Sequence, residues 1–117
     1  MQRIPKNISA FKLYEWLNSD DDFKPALIDV REIKELEIAS FSFSVIHLPL
    51  SQASDWAENL SNFLPVDKPL VIICHAGVRS WNFATWLIDQ DWVSEIWNLE
   101  GGIDSWSRNV DQTVPRY

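Results

Sequence analysis

Cys74 is the only cysteine of the chain, and it joins two unlike stretches. Before it runs Leu70-Val71-Ile72-Ile73, a short apolar segment with the composition of a buried strand; after it, Trp81 to Gln90 has a helical pattern. Between them lie His75, Ala76, Gly77, Val78, Arg79 and Ser80. A thiol at the carboxyl end of a strand, just ahead of a helix N-terminus, faces converging backbone N–H groups, which favour the thiolate. Gly77 allows the tight, positive-φ turn that aims those amides inward. Arg79 is placed to fold over the resulting cup and grip an oxyanion with two prongs, and Ser80 is placed to cap the helix. The chemistry this predicts is nucleophilic attack on a small anionic substrate by Cys74, its sulfur ionised and open to solvent. A cysteine closing a β-branched run is otherwise an inert small hydrophobe. The offsets of Gly77, Arg79 and Ser80 decide for chemistry.

The rest of the chain reads as short strands alternating with helices, without repeats or linkers. Ser9 is a candidate N-cap, with Ile8 and Leu13 forming a hydrophobic staple across it, for a helix reaching Asn18. Ala26-Leu27-Ile28-Asp29-Val30 reads as a buried strand, Glu32 to Ile38 as a short helix and Ser44 to His47 as another strand. From Ser54, Trp56, Leu60, Phe63 and Leu64 recur at helical spacing and predict one amphipathic helix. Glu95 to Leu99 is the next strand, and Gly101-Gly102 opens a last helix containing Ile103, Trp106 and Val110. Such alternation with apolar strands predicts an α/β domain, a parallel sheet covered on both faces. Ligands bind such sheets at the carboxyl edge of the strands. That edge should gather Asp29, Cys74 and Glu100. Asp29 is expected to accept loop N–H bonds and Arg31 to pair with a carboxylate such as Glu35, both supporting the site rather than reacting. His75 is expected to line the pocket, and His47 to be a hydrogen-bonded loop residue.

Composition bounds the function. A length of 117 residues predicts one domain, spanning 1–117, with a core of its own. One cysteine and two histidines make a poor metal set, so no metal is expected, and nothing implies a nucleotide or organic cofactor. A formal charge of −7 argues against nucleic-acid binding. No apolar stretch approaches the length of a membrane span, and the start carries no continuous apolar run of a secretory leader. A lone thiol fits a reducing setting, and the expectation is a cytoplasmic protein. The seven tryptophans divide between core and surface in a way the sequence does not assign.

Cys74-x-x-Gly77-x-Arg79-Ser80 resembles the active-site loop of single-domain rhodaneses, the thiosulfate-type sulfurtransferases. Leu27-Ile28-Asp29-Val30-Arg31-Glu32 resembles the family's first signature, and Asn98 through Trp106 its last, in the same order. The resemblance implies a single rhodanese-like domain, a five-stranded parallel sheet with helices on both faces, whose first strand would come from Arg3-Ile4. It also implies a sulfurtransferase. Cys74 would take sulfane sulfur from a small anionic donor such as thiosulfate, hold it as a persulfide, and pass it to cyanide, a thiol or a small sulfur-carrier protein. The amides from His75 to Ser80 and the Arg79 side chain would form the anion site. With no second cysteine in the chain, the acceptor must come from outside, in a ping-pong cycle. The stretch from Trp106 to Tyr117 resembles the end of rhodanese domains joined to adenylyltransferases, which points to the carrier-protein acceptor. Ser40 to Val45 departs from the family's glycine- and proline-bearing segment, and Phe41 and Phe43 there are expected to pack inward. Two other functions fit parts of the pattern. A non-catalytic rhodanese-like binding module would share the fold. A cysteine-dependent phosphatase or arsenate reductase would share the loop after a strand, but with five residues between cysteine and arginine where this chain has His75, Ala76, Gly77 and Val78.

Overall fold

The computed structural model describes residues 3–117. Its strands are β1 (Lys6–Ile8), β2 (Ala26–Asp29), β3 (Ile46–His47), β4 (Leu70–Ile73) and β5 (Ile96–Leu99). They form one parallel sheet in the order β1-β5-β4-β2-β3. The helices are α1 (Ala10–Leu17), α2 (Ile33–Ile38), α3 (Ala53–Trp56), α4 (Val78–Asp89) and α5 (Gly102–Asn109).

The side-chain alternation of a strand divides the core between two faces. On β4, Leu70 and Ile72 join Trp56, Phe83 and Leu87 from α3 and α4. Val71 and Ile73 point the other way and join Leu13 from α1 and Ile103 and Trp106 from α5. All four β4 residues are buried because β4 is the central strand, covered from both sides. Cys74 therefore leaves the sheet at its most enclosed point.

Local signals place several elements where the sequence predicts them. The Ser9 side chain accepts the Lys12 N–H at 3.1 Å, which caps α1, and Ile8 and Leu13 share one core cluster. Phe41 and Phe43 pack inward, with ring centroids 4.5 and 6.1 Å from that of Trp106. Trp56 and Trp106 are core residues, and the other tryptophans are partly exposed.

Other expectations are corrected. The first strand is Lys6–Ile8, not Arg3-Ile4; Pro5 precedes the strand, and only beyond it does the backbone register with β5. The strand expected from Ser44 narrows to Ile46–His47, because at this edge only Ile28 and Asp29 of β2 offer partners. The single amphipathic helix expected from Ser54 is broken. α3 is one turn, followed by 3₁₀ turns over Ala57–Asn62 in which Asn59 leaves helical dihedrals. That kink turns Phe63 outward, 41% exposed, while Trp56, Leu60 and Leu64 stay buried.

Candidate active site around Cys74

The loop after β4 is shaped by two glycines. Gly77 has φ +97° and serves as the N-cap of α4, so the helix starts at Val78, three residues before Trp81. A side chain at Gly77 would sit 3.1 Å from the Gly101 nitrogen. Gly102, at φ +60°, lies so close that a Cβ there would stand 2.5 Å from the Cys74 carbonyl oxygen. This close approach lets the first turn of α5 hold the loop: Ile103 N–H donates to the Cys74 carbonyl at 2.9 Å, and Asp104 N–H to that of His75 at 3.0 Å. The Gly101-Gly102 pair, read from the sequence as a helix start, thus also clamps the Cys74 loop.

The sulfur sits between two polar groups. Gly77 N–H donates to Cys74 Sγ at 3.1 Å, and Ser80 Oγ lies 3.2 Å away. Ser80 is the third residue of α4 and fully buried, so it is no cap; its hydroxyl is turned to the sulfur and donates to Asn98 Oδ1. Asn98 Nδ2 in turn donates to Asn7 Oδ1 at 3.1 Å and to the Gly77 carbonyl at 3.3 Å. Asn98 is a buried amide on β5 that ties loop, helix and sheet together. Its only sequence signal is an amide inside an apolar strand, where a buried polar group needs partners. Cys74 itself is 1% exposed and belongs to the α3–α4 core cluster. The expectation of a sulfur open to solvent is corrected: the central position of β4 carries the thiol inward.

Two arginines flank the loop. Arg31 is fully buried and pairs with Asp29 by Nε to Oδ1 at 3.0 Å and Nη2 to Oδ2 at 2.8 Å. Asp29 also accepts the Arg31 N–H at 3.1 Å, as expected of a strand-end carboxylate. The expected Arg31 partner, Glu35, gives it only a backbone carbonyl contact at 3.4 Å. Asp29 wins because it already lies two residues away on the same buried strand end. Burial by itself would lower the Arg31 pKa, but the bonds to Asp29 and Tyr117 hold it above its ordinary value.

Arg79 is the more open of the two. Its Nη1 and Nη2 donate to Glu35 Oε2 and Oε1, both at 2.9 Å, so a carboxylate already fills the two-pronged fork. Glu35 is fixed on α2 by the Glu32 N–H, 2.9 Å from Oε2. Partial burial pushes the Glu35 carboxyl up, yet the hydrogen bonds from Arg79 and Glu32 and the nearby guanidinium charges hold it below its ordinary value. The Glu35 hydrogen bond, opposed by partial burial, raises the Arg79 pKa.

His75 and Tyr117 form the remaining wall. Their rings stack at 4.1 Å with planes 13° apart, and the Tyr117 hydroxyl accepts from Arg31 Nη1 at 3.1 Å. Desolvation pushes the Tyr117 phenol up, partly offset by Arg31. Tyr117 is brought 86 residues along the chain to Arg31, and no pattern around it points there. Ala76 lies exposed on the loop, and Val78 lies exposed at the start of α4. His47, expected in a loop, lies on β3, with its Nε2 2.6 Å from the Arg31 carbonyl oxygen.

The architecture and the loop can be compared with known proteins. The family model for the rhodanese-like domain matches residues 9–109. The chain belongs to the rhodanese-like domain family. It is 41% identical over 92 residues to the rhodanese-like/PpiC domain-containing protein 12, chloroplastic, of Arabidopsis thaliana, covering 78% of this chain and 30% of that protein. It is 32% identical to the putative sulfurtransferase YtwF of Bacillus subtilis, over 86% of this chain and 89% of that one. A crystal structure of a rhodanese-related protein from Thermoplasma volcanium superposes with a TM-score of 0.66 at 29% identity, covering 94% of this chain and 95% of the other. Two yeast proteins described as adenylyltransferase and sulfurtransferase UBA4 match at 29% and 27% identity, over 94% and 86% of this chain. The chain spans only 30%, 25% and 24% of the Arabidopsis protein and these two yeast proteins. Among the described residues no helix is long and apolar enough to cross a membrane.

Proposed function

We propose that this rhodanese-like domain moves sulfane sulfur through a persulfide on Cys74. The observation that carries the reading is the setting of Sγ, which receives the Gly77 N–H at the start of α4 and lies beside Ser80 Oγ. The Gly77 N–H stabilises negative charge on sulfur, and the Ser80 hydroxyl does so only when its single proton turns from Asn98 Oδ1 to Sγ. The Cys74 thiolate attacks the outer sulfur of a donor such as thiosulfate. A sulfur–sulfur bond forms at Cys74, the donor's sulfur–sulfur bond breaks, and sulfite leaves with the electron pair. A nucleophilic acceptor (cyanide, or a thiolate on a small molecule or a protein) then attacks the outer sulfur, and the Cys74 thiolate leaves with the electron pair.

Arg79 is assigned to the anionic part of the donor, which must compete with Glu35 for the guanidinium fork. The amides of His75 to Ser80 complete the anion site, while Asp29 and Arg31 hold its floor. At 1% exposure, Cys74 meets a donor only after side chains at the rim move aside. A reducing, cytoplasmic setting fits, since the cycle needs Cys74 as a thiol.

The test is direct. Intact mass is recorded after incubation with thiosulfate and again after cyanide. A gain of one sulfur that cyanide removes, absent in Cys74→Ser, is expected. Wild-type protein that gains no sulfur from any sulfane donor would overturn the reading.

A further inference from the structure

Beside the Cys74 loop lies a groove of about 500 Å³ between the turn at Leu50, α3 and α4. Leu50, Ala53, Trp56, Phe83 and Trp86 line it, and among the described residues Arg79 is its one charged lining residue. Its wall is an aromatic trio. Trp56 stands edge-on to Phe83 at 5.5 Å and to Trp86 at 6.3 Å, and Phe83 and Trp86 stack at 5.8 Å. The polar handle of Trp56 is spent, because its Nε1–H donates to the Pro49 carbonyl at 3.1 Å. What the groove offers is therefore mainly aromatic surface, with the Asn82 amide as a polar group beside Arg79. Trp56, Phe83 and Cys74 share one core cluster, so the wall is continuous with the packing around the sulfur.

The charge pattern fits one kind of guest. Arg79 Nη1 and Nη2 are taken by Glu35, and Arg31 is sealed against Asp29, so both guanidinium charges at the site are already matched by carboxylates. A groove with aromatic walls and one carboxylate-paired guanidinium at its end suits an apolar body with a single negative end.

We propose that the groove seats the apolar body of an aryl thiol acceptor, with its thiolate at the Arg79 end. The proposal rests on the Cys74 persulfide chemistry above and names the acceptor class for it. In the transfer, the aryl thiolate sulfur attacks the outer sulfur of the Cys74 persulfide. A new sulfur–sulfur bond forms, the bond to Cys74 Sγ breaks, and its electron pair stays on Cys74 as thiolate. The aryl hydropersulfide leaves, with no net oxidation or reduction.

Two measurements on the full chain test this. In the first, persulfide-loaded protein is offered 4-tert-butylbenzenethiol or cyanide. In the second, calorimetry follows binding of the unreactive 4-tert-butylbenzenesulfonate. Ala53→Phe and Ala57→Phe each fill the groove, with folding checked by thermal melts. The ratio of kcat/KM for aryl thiol to that for cyanide is expected to fall by about tenfold or more in a folded filling variant, and sulfonate affinity to fall in parallel. If the chain transfers sulfur to no acceptor, sulfonate binding that the filling variants abolish still upholds the groove, and only the persulfide reading fails. Absence of sulfonate binding to wild type, or an unchanged acceptor ratio in both variants, overturns the proposal. So would a groove found covered by a second copy of the chain or by a bound peptide.

Discussion

The two arginines beside Cys74 are both held by carboxylates, yet they live in different environments. The Arg31–Asp29 side chains are 0% exposed on both sides, whereas those of Arg79–Glu35 are 37% and 21% exposed. A sealed ion pair cannot trade partners, because separating it leaves a charge without water. A half-open pair can, since solvent or an anionic ligand compensates whichever partner is released. On the proposed reading, the same chemical pairing serves as scaffold at one end of the site and as an exchangeable anion fork at the other.

The sharpest way to break this comparison is at Asp29. Asp29→Ala strands the Arg31 guanidinium in the core and is expected to cost about 3–5 kcal/mol of stability in denaturant unfolding. A loss below about 1 kcal/mol, as at a surface pair, would erase the distinction. Arg79→Ala should show the opposite profile. Stability is expected to change by about 1 kcal/mol or less, while kcat/KM for thiosulfate falls on the order of 10–100-fold and that for cyanide changes little. A large fall in melting temperature would instead make Arg79 scaffold.

Glu35→Gln gives the smallest effect and sharpens the exchange idea. The glutamine oxygen keeps the bond to the Glu32 N–H while the competing charge goes. Thiosulfate KM is expected to drop by a few-fold, about 2–5. The pH dependence follows from the direction of the Glu35 shift. Its folded pKa lies below the unfolded value, so its contribution to stability is present above the ordinary carboxyl range, about 4.3, and is lost as pH falls through the lower folded value. Glu35→Gln should flatten that acid limb in melts taken across the range. An unchanged limb would leave Glu35 without a role in it.

Much of this site was legible along the chain because its signals are local. The apolar run 70–73, the single cysteine and the spacing of Gly77, Arg79 and Ser80 all fall within eleven residues, and backbone rules connect them. Ser9 at the start of α1 and the stripe on α4 are local in the same sense. The errors share a cause. Ser80 looked like a cap because serine often is one, but Gly77 took that role and α4 began early, which turned the hydroxyl to the sulfur. Asn59 broke a helix that the apolar spacing favoured. Arg31 chose Asp29, and Glu35 went to Arg79.

By itself, the amino-acid order determined the strand–helix alternation, the place of the lone thiol and the loop that carries it, because each depends on neighbours within a turn or two. Tertiary structure alone decided which carboxylate holds which arginine, that Asn98 and Tyr117 join the site, and that Cys74 lies enclosed. Those outcomes depend on burial and on approaches between segments up to 91 residues apart. No local pattern encodes the dielectric or the company a side chain meets once the sheet and its two helical layers close.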